Sequence, residues 1–314
     1  MSEDVIQTHN LTKDFERERA VDSLSLAVPQ GSVFGFLGVN GAGKTTTVRM
    51  IMGHLYPTKG EVELLGKNPW KHTEVERHRV AYVSDNMHLP GWMTPKQAIR
   101  LNASLYPSWD SALAERLLFD LNLNRWKKYR SFSKGEKRRL CLLLAICQNA
   151  DVLILDEPAS GLDVVARHKF LDLILERVYD GRRTVFLSSH LLSDLERIID
   201  RLVIIHRGQL HLSGTLDDLK TEVRELRLPH DIPRESLDSY FEILHYESNE
   251  QGTVVIIRNF EDARFRAFCQ QFNVDEIVQV NGFNLEDLFV KLVGTEGNRN
   301  RRNRQKRKSK HLIA

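Results

Sequence analysis

Short apolar runs recur through the first two thirds of the chain: Val33 to Leu37, Val152 to Leu155, Thr184 to Leu187 and Leu202 to Ile205. Runs this brief and this apolar fit strands buried on both faces. Between the second and third runs, Phe170, Leu171, Ile174, Leu175 and Val178 recur at helical spacing and predict an amphipathic helix. From residue 1 to about 215, strand-like and helix-like stretches alternate, which predicts an α/β body. The alternation breaks from about Asn86 to Ala150. There Ile99 onward, Ala112 to Leu121 and Arg138 to Cys147 read as helices with no strand between them, a helical insertion over about 86–150.

The pattern shifts again near Thr221. Tyr240 to Tyr246 and Thr253 to Ile257 read as strands, Ala263 to Phe272 and Leu285 to Val293 as helices. The division expected is a first domain over 1–220, a small α+β appendage over 221–294 and a disordered basic tail over 295–314. The tail also explains the charge. It carries eight Lys/Arg and one acid, Glu296, and without it the chain holds 37 basic and 41 acidic side chains. The net charge of +3 therefore resides in a tail, not on a face.

With 314 residues the chain can bury a sizeable core. Its longest apolar run, Leu140 to Cys147, has eight residues, well below the roughly 18 that span a bilayer. Met1-Ser2-Glu3-Asp4 lacks the basic-then-apolar start of a secretory leader, so a cytoplasmic chain is expected. Cys141, Cys147 and Cys269 have no metal-ligand spacing and are expected to be reduced core thiols.

Candidate chemistry concentrates in Gly38-Val39-Asn40-Gly41-Ala42-Gly43-Lys44-Thr45, which fits G-x-x-x-x-G-K-[ST]. A triphosphate packs several charges into a few ångströms, so many backbone N–H groups must converge on it. Residues without bulk let the chain curl that tightly. Lys44 supplies a point charge, the Thr45 hydroxyl can ligate magnesium, and the helix that starts near Gly43 adds its dipole. The apolar run before the loop and Thr46 to Gly53 after it give the strand-loop-helix order the motif needs.

Two further elements gain meaning from this loop. Val152 to Leu155 ends in Asp156 and Glu157. A parallel strand beside the P-loop strand would bring Asp156 to magnesium and Glu157 to the γ-phosphate, where it can deprotonate an attacking water. Ser131-Phe132-Ser133-Lys134-Gly135-Glu136-Lys137-Arg138-Arg139 opens the Arg138 to Cys147 helix and offers a hydroxyl and free amides to an anion. Taken singly, it could equally be an ordinary serine cap.

Those motifs, followed by Ser160-Gly161-Leu162-Asp163 and Ser188-Ser189-His190 in this order, resemble the nucleotide-binding subunit of an ATP-binding cassette (ABC) transporter over about Val5 to Leu219. More weakly, the appendage ending in Leu285-Glu286-Asp287-Leu288-Phe289 resembles the accessory domain of exporter-type members. The resemblance implies a P-loop cassette with a mixed sheet and a helical subdomain. It makes Phe15 the aromatic that stacks on adenine, and Gly38 to Thr46 the phosphate loop. Ser133 and Gly135 match the signature that reaches the γ-phosphate held by an opposite protomer. Asp163 falls in the loop joining the two sites, and His190 at the switch histidine. Lys134 and Glu136 depart from the commoner glycine and glutamine. Asp85 stands where a magnesium-contacting glutamine is usual, and is expected to ligate magnesium directly or through water.

By this resemblance two cassettes sandwich two ATP molecules with Mg2+, in a homodimer or with a paralogous ATPase. Integral membrane permease subunits would carry the cargo, holding the chain at the inner face of the cell membrane. Met87, Leu89, Trp92 and Met93 are candidate docking contacts, with half-buried core the alternative. An ATPase acting on ribosomes or nucleic acid is the competing class, supported by the tail from Arg299 to Lys310, which also suits anionic lipid. A P-loop kinase would leave the signature and His190 unexplained.

Overall fold

The computed structural model describes residues 4–16, 18–85, 87–178, 183–190, 195–228, 232–249, 252–272, 279–282 and 285–293; the basic tail lies outside them. Contacts divide the chain into two units, Met1–Ser213 and Gly214–Ala314.

The first unit runs β1 (Asp4–Phe15), β2 (Glu18–Pro29), β3 (Val33–Leu37), α1 (Lys44–Ile51), β4 (Lys59–Leu64), α2 (Glu74–His78) and β5 (Val80–Val83). It continues through α3 (Pro95–Leu105), α4 (Ser111–Asp120), α5 (Lys134–Cys147), β6 (Val152–Asp156), α6 (Val164–Val178), β7 (Thr184–Ser189), β8 (Arg201–His206) and β9 (Gln209–Thr215). β2-β1-β4 form an antiparallel sheet, and β5-β6-β7-β3-β8-β9 a larger one whose first five strands are parallel.

α1 lies between these sheets. Lys44, Thr47, Val48 and Ile51 are buried at i, i+3, i+4 and i+7, and Val48 and Ile51 join a core with Phe34, Phe36 and Phe186 below and Ile6, Leu11 and Val62 above. Between β5 and β6 the described residues hold helices and no strand. Pro95 starts α3 behind a Thr94–Gln97 capping box, and Asp110 caps α4 by accepting from Leu113 N–H. Leu140 to Cys147, the longest apolar run, is buried all along α5, which makes it a central helix.

Two expectations need correction. β6 is not beside the P-loop strand: β7 separates it from β3. Glu157 therefore reaches Lys44 across one intervening strand, a spacing of roughly 10 Å that two long side chains bridge, while Asp156 bonds Ser188 on β7. On α6, Phe170, Leu171 and Ile174 are buried but Leu175 is exposed, because its 100° step carries it to the edge of the stripe. The Val178 side chain lies outside the description.

The second unit holds α7 (Leu216–Glu222), β10 (Arg224–Leu228), α8 (Arg234–Asp238), β11 (Glu242–Asn249), β12 (Gly252–Arg258), α9 (Asp262–Phe272) and β13 (Gln279–Asn281), with residues 285–293 helical. Its sheet, β11-β12-β10-β13, is antiparallel throughout. Leu226, Leu228, Val255 and Ile257 alternate inward and pack with Phe241 and Phe268. β10 escaped the sequence reading because Arg224, Glu225 and Arg227 interrupt its apolar positions.

Candidate functional site

Strand register sets the site. Leu37 pairs with Ser189, and Asp156 with Ser188, so β6, β7 and β3 end level with one another. Glu157, His190 and Gly38 follow those ends directly, at the carboxyl edge where parallel sheets place their ligands.

Gly38 N–H donates to Ser189 O at 3.2 Å, tying the loop to β7. A Cβ at Gly38 would sit 2.8 Å from Ile205 O, so only glycine lets the strands close here. Gly43 has φ 103°, and a Cβ there would approach Ala20 O to 2.4 Å. Between them Val39 is half-buried, Asn40 and Gly41 are exposed at the crown, and Ala42 is buried. No side chain caps the amides that open α1, where Thr45 and Thr46 are half-buried. Uncapped amides at a helix start suit an anion.

Lys44 is buried under this loop and donates to Gly38 O at 2.6 Å and Val39 O at 3.2 Å. Its Nζ also lies 3.0 Å from Glu157 Oε1, a close ion pair without hydrogen-bond alignment. Glu157 Oε2 lies 2.7 Å from His190 Nδ1. One carboxylate thus joins the phosphate-loop lysine to the histidine after β7.

Asp156 is fully buried. Its Oδ1 accepts from Ser188 Oγ at 2.6 Å, while Oδ2 is buried without a hydrogen-bond partner among the described residues. Such an orphaned oxygen is costly unless a ligand satisfies it, and a hard cation would. No group of three or more His, Cys, Asp or Glu able to hold a metal occurs among the described residues. Magnesium takes one or two carboxylates plus phosphate oxygens and waters, so the donor set fits.

Ser188 organises both acids. Besides donating to Asp156, it accepts from Glu157 N–H through its Oγ and its carbonyl, each at 3.1 Å. Glu157 has φ 51°, a left-handed conformation rare outside glycine. Ser188 entered the sequence reading only as part of a motif; a polar residue ending an aliphatic strand was the available signal.

Arg138 was missed. It projects from α5, is 7% exposed, and donates to Ser84 O at 2.7 Å, Asp156 O at 3.0 Å, Pro158 O at 3.1 Å and Glu157 O. Its place in a basic helix start, compatible with an ordinary serine cap, gave no sign of burial. Burial pushes its guanidinium below the ordinary arginine value, and Asp85, Cys141, Asp156 and Glu157 oppose that shift.

The signature residues gather elsewhere. Ser133 caps α5 in a capping box with Glu136, and Lys127 pairs with Glu136 at 2.9 Å. The backbone N–H of Ser133, then Lys127, holds the Glu136 carboxyl below its ordinary value. Gly135 packs toward the turn at Gly161: a Cβ there would lie 3.5 Å from Gly161 O. Asp163 Oδ1 accepts from Ala166 N–H at 2.9 Å and so starts α6; that bond lowers its pKa. Phe15 ends β1 at 50% exposure, with Lys13 Nζ 5.4 Å from the ring centre, so it is no core aromatic. Asp85 is exposed and lies 3.7 Å from Arg138 Nη2. Of the docking candidates, Trp92 is exposed, Met93 buried, and Met87 and Leu89 half-buried.

Cys141 and Cys147 are buried and Cys269 is half-buried. Among the described residues no helix is long and apolar enough to cross a membrane.

The family model for ABC transporters matches residues 21–160. The bacitracin transport ATP-binding protein BcrA of Bacillus licheniformis is 31% identical over 302 residues, spanning 92% of this chain and 97% of its own length. Its namesake in Enterococcus faecalis is 29% identical, spanning 93% and 97%. The probable multidrug ABC transporter ATP-binding protein YbhF of Escherichia coli is 35% identical over 70% of this chain, but over only 39% of its own length. The solved structure of an ATP-binding subunit of an ABC transporter matches with a TM-score of 0.63 at 30% identity, covering 69% of this chain and 92% of that one. The glycine-rich loop, the acids at the end of β6 and a likeness that runs nearly end to end converge: the chain belongs to the ABC transporter family as an ATP-binding, ATP-hydrolysing subunit.

Proposed function

We propose that this subunit drives export, with Glu157 as the general base of ATP hydrolysis. The observation that carries the reading is the contact series Lys44–Glu157–His190 at the ends of β6, β7 and β3. In that arrangement the loop amides and Lys44 take the β- and γ-phosphates, displacing Lys44 from Glu157 and freeing the carboxylate for water. His190 orients Glu157 and faces the γ-phosphate. Thr45 and Asp156 hold magnesium, which neutralises phosphate charge when bound. The exposed ring of Phe15 receives the adenine.

Ser133 and Gly135 complete the site of a second copy or a paralogous ATPase. Neither half surrounds the γ-phosphate alone, so ATP favours the closed dimer by differential binding. Asp163, beside the Gly161 turn, links the two sites. The cargo crosses through separate permease subunits, with this chain on the cytoplasmic face. Relatives named for bacitracin and multidrug transport support a transport role for this chain.

The Glu157→Gln variant tests the reading. It should retain ATP, lose at least about a hundredfold in turnover, and elute as a dimer when ATP is present. Turnover like the wild type would refute Glu157 as the base.

A further inference from the structure

α5 begins at the signature and ends in the core, and Arg138 is the point at which it touches the hydrolytic turn. One guanidinium there accepts nothing and donates to four carbonyls: Ser84, at the end of β5, and Asp156, Glu157 and Pro158 in succession. Three consecutive carbonyls can converge on one cation only if the chain turns sharply between them. That turn is the left-handed backbone at Glu157. The fifth neighbour is Asp85, an exposed carboxylate 3.7 Å from Nη2.

We propose that Arg138 is a positioning residue for hydrolysis, fixing the Glu157 turn from the signature helix, and that Asp85 serves as its counter-charge instead of contacting magnesium. The proposal rests on Glu157 being the general base. A guanidinium with its donors committed to backbone carbonyls holds direction as well as distance, which a lysine ammonium cannot reproduce. Displacement of the α5 start by a phosphate at Ser133 and Gly135 is passed to the Glu157 carbonyl through a single side chain. Asp85 brings the loop after β5 into the same contact. A carboxylate can stand there because a buried cation faces it, where glutamine would leave that cation with no opposing side-chain charge at this edge.

The test uses the full chain with Mg-ATP and the variants Arg138→Gln, Arg138→Lys, Asp85→Asn and the double variant Asp85→Asn/Arg138→Gln. Arg138→Gln should lower kcat at least about tenfold with KM for ATP within about threefold, the split expected of an interaction felt in the transition state. Arg138→Lys should recover only part of that loss. Asp85→Asn should lower kcat about two- to fivefold and add nothing in the Arg138→Gln background, as residues acting through one contact do. Mn2+ affinity, read by electron paramagnetic resonance with a non-hydrolysable ATP analogue, should be unchanged in Asp85→Asn. Hydrogen exchange at the Glu157 amide without nucleotide should quicken in Arg138→Gln.

A wild-type kcat in Arg138→Gln overturns the positioning role. Weakened Mn2+ binding in Asp85→Asn, or losses that multiply independently in the double variant, overturn the counter-charge role. If circular dichroism shows Arg138→Gln unfolded, Asp85→Asn decides alone, since Asp85 is exposed: wild-type kcat there overturns the proposal and a reduced kcat with intact Mn2+ binding supports it. An active Glu157→Gln would instead remove the premise, an outcome distinguishable from all of these.

Discussion

Glu157 Oε2 and His190 Nδ1 stand 2.7 Å apart, across the ends of two neighbouring parallel strands. The other oxygen of Glu157 faces Lys44 at 3.0 Å. Among the described residues each oxygen has one nitrogen neighbour, and the two together fix the plane of the carboxylate before any water arrives. Orientation of this kind is where most of the benefit of a general base lies.

Replacing His190 by alanine removes one of those constraints and leaves the backbone untouched. Steady-state phosphate release should fall at least about tenfold, while ATP affinity measured by nucleotide fluorescence changes little. Equal losses in both would mean that His190 serves the loop and not the carboxylate.

Lys44→Ala takes a buried cation from beneath Gly38 and Val39 and from beside Glu157. Hydrogen bonds to charged groups are worth about 1.5–3 kcal/mol, so ATP should bind roughly 10- to 100-fold more weakly. Equilibrium dialysis against labelled ATP is sufficient; unchanged affinity would place the phosphates elsewhere.

Ser188→Ala leaves Asp156 Oδ1 without its donor and takes one of two acceptors from Glu157 N–H. Both groups are inside the protein, so the variant should lose about 1–3 kcal/mol in urea unfolding and turn over more slowly as well. A variant of unaltered stability would show that water replaces the hydroxyl.

Glu136 supplies a pH test. Its carboxyl is held below the ordinary value near 4.5 by the Ser133 amide and Lys127. A lowered folded value means stability that is fully present above the ordinary value and lost as pH falls through the folded one. Glu136→Gln retains the capping acceptor without the charge. Thermal melts should therefore show wild type ahead at neutral pH, converging with the variant as the carboxyl protonates below the ordinary carboxylate range. Parallel curves at all pH values would remove the carboxylate from the capping box energetics.

The phosphate loop, the paired acids and the helical insertion were legible because each rests on local patterns: glycine spacing, an aliphatic run with a polar end, a change of period. Strand order was not. Nothing local says that Thr184 to Ser189 inserts between β6 and β3, because that choice is made by packing across more than a hundred residues. Arg138 stayed hidden for the same reason, since a buried arginine and a solvated one look alike in sequence until the carbonyls around it are placed. β10, with charges at three of five positions, was also decided by its neighbours.

The phosphate loop is pinned at both ends by main-chain bonds. Gly38 N–H is held by Ser189 O, Ala42 N–H by Val39 O, and Ala42 O receives Gly208 N–H at 2.9 Å, while Gly208 O receives Asp22 N–H at 2.9 Å. Ordering a residue costs about 1–2 kcal/mol of chain entropy, and for these residues the cost falls on folding, not on association. On the proposed binding mode, ATP therefore meets amides that are already ordered. In that encounter the loop is the rigid receptor, and the partner that must give up freedom is the triphosphate.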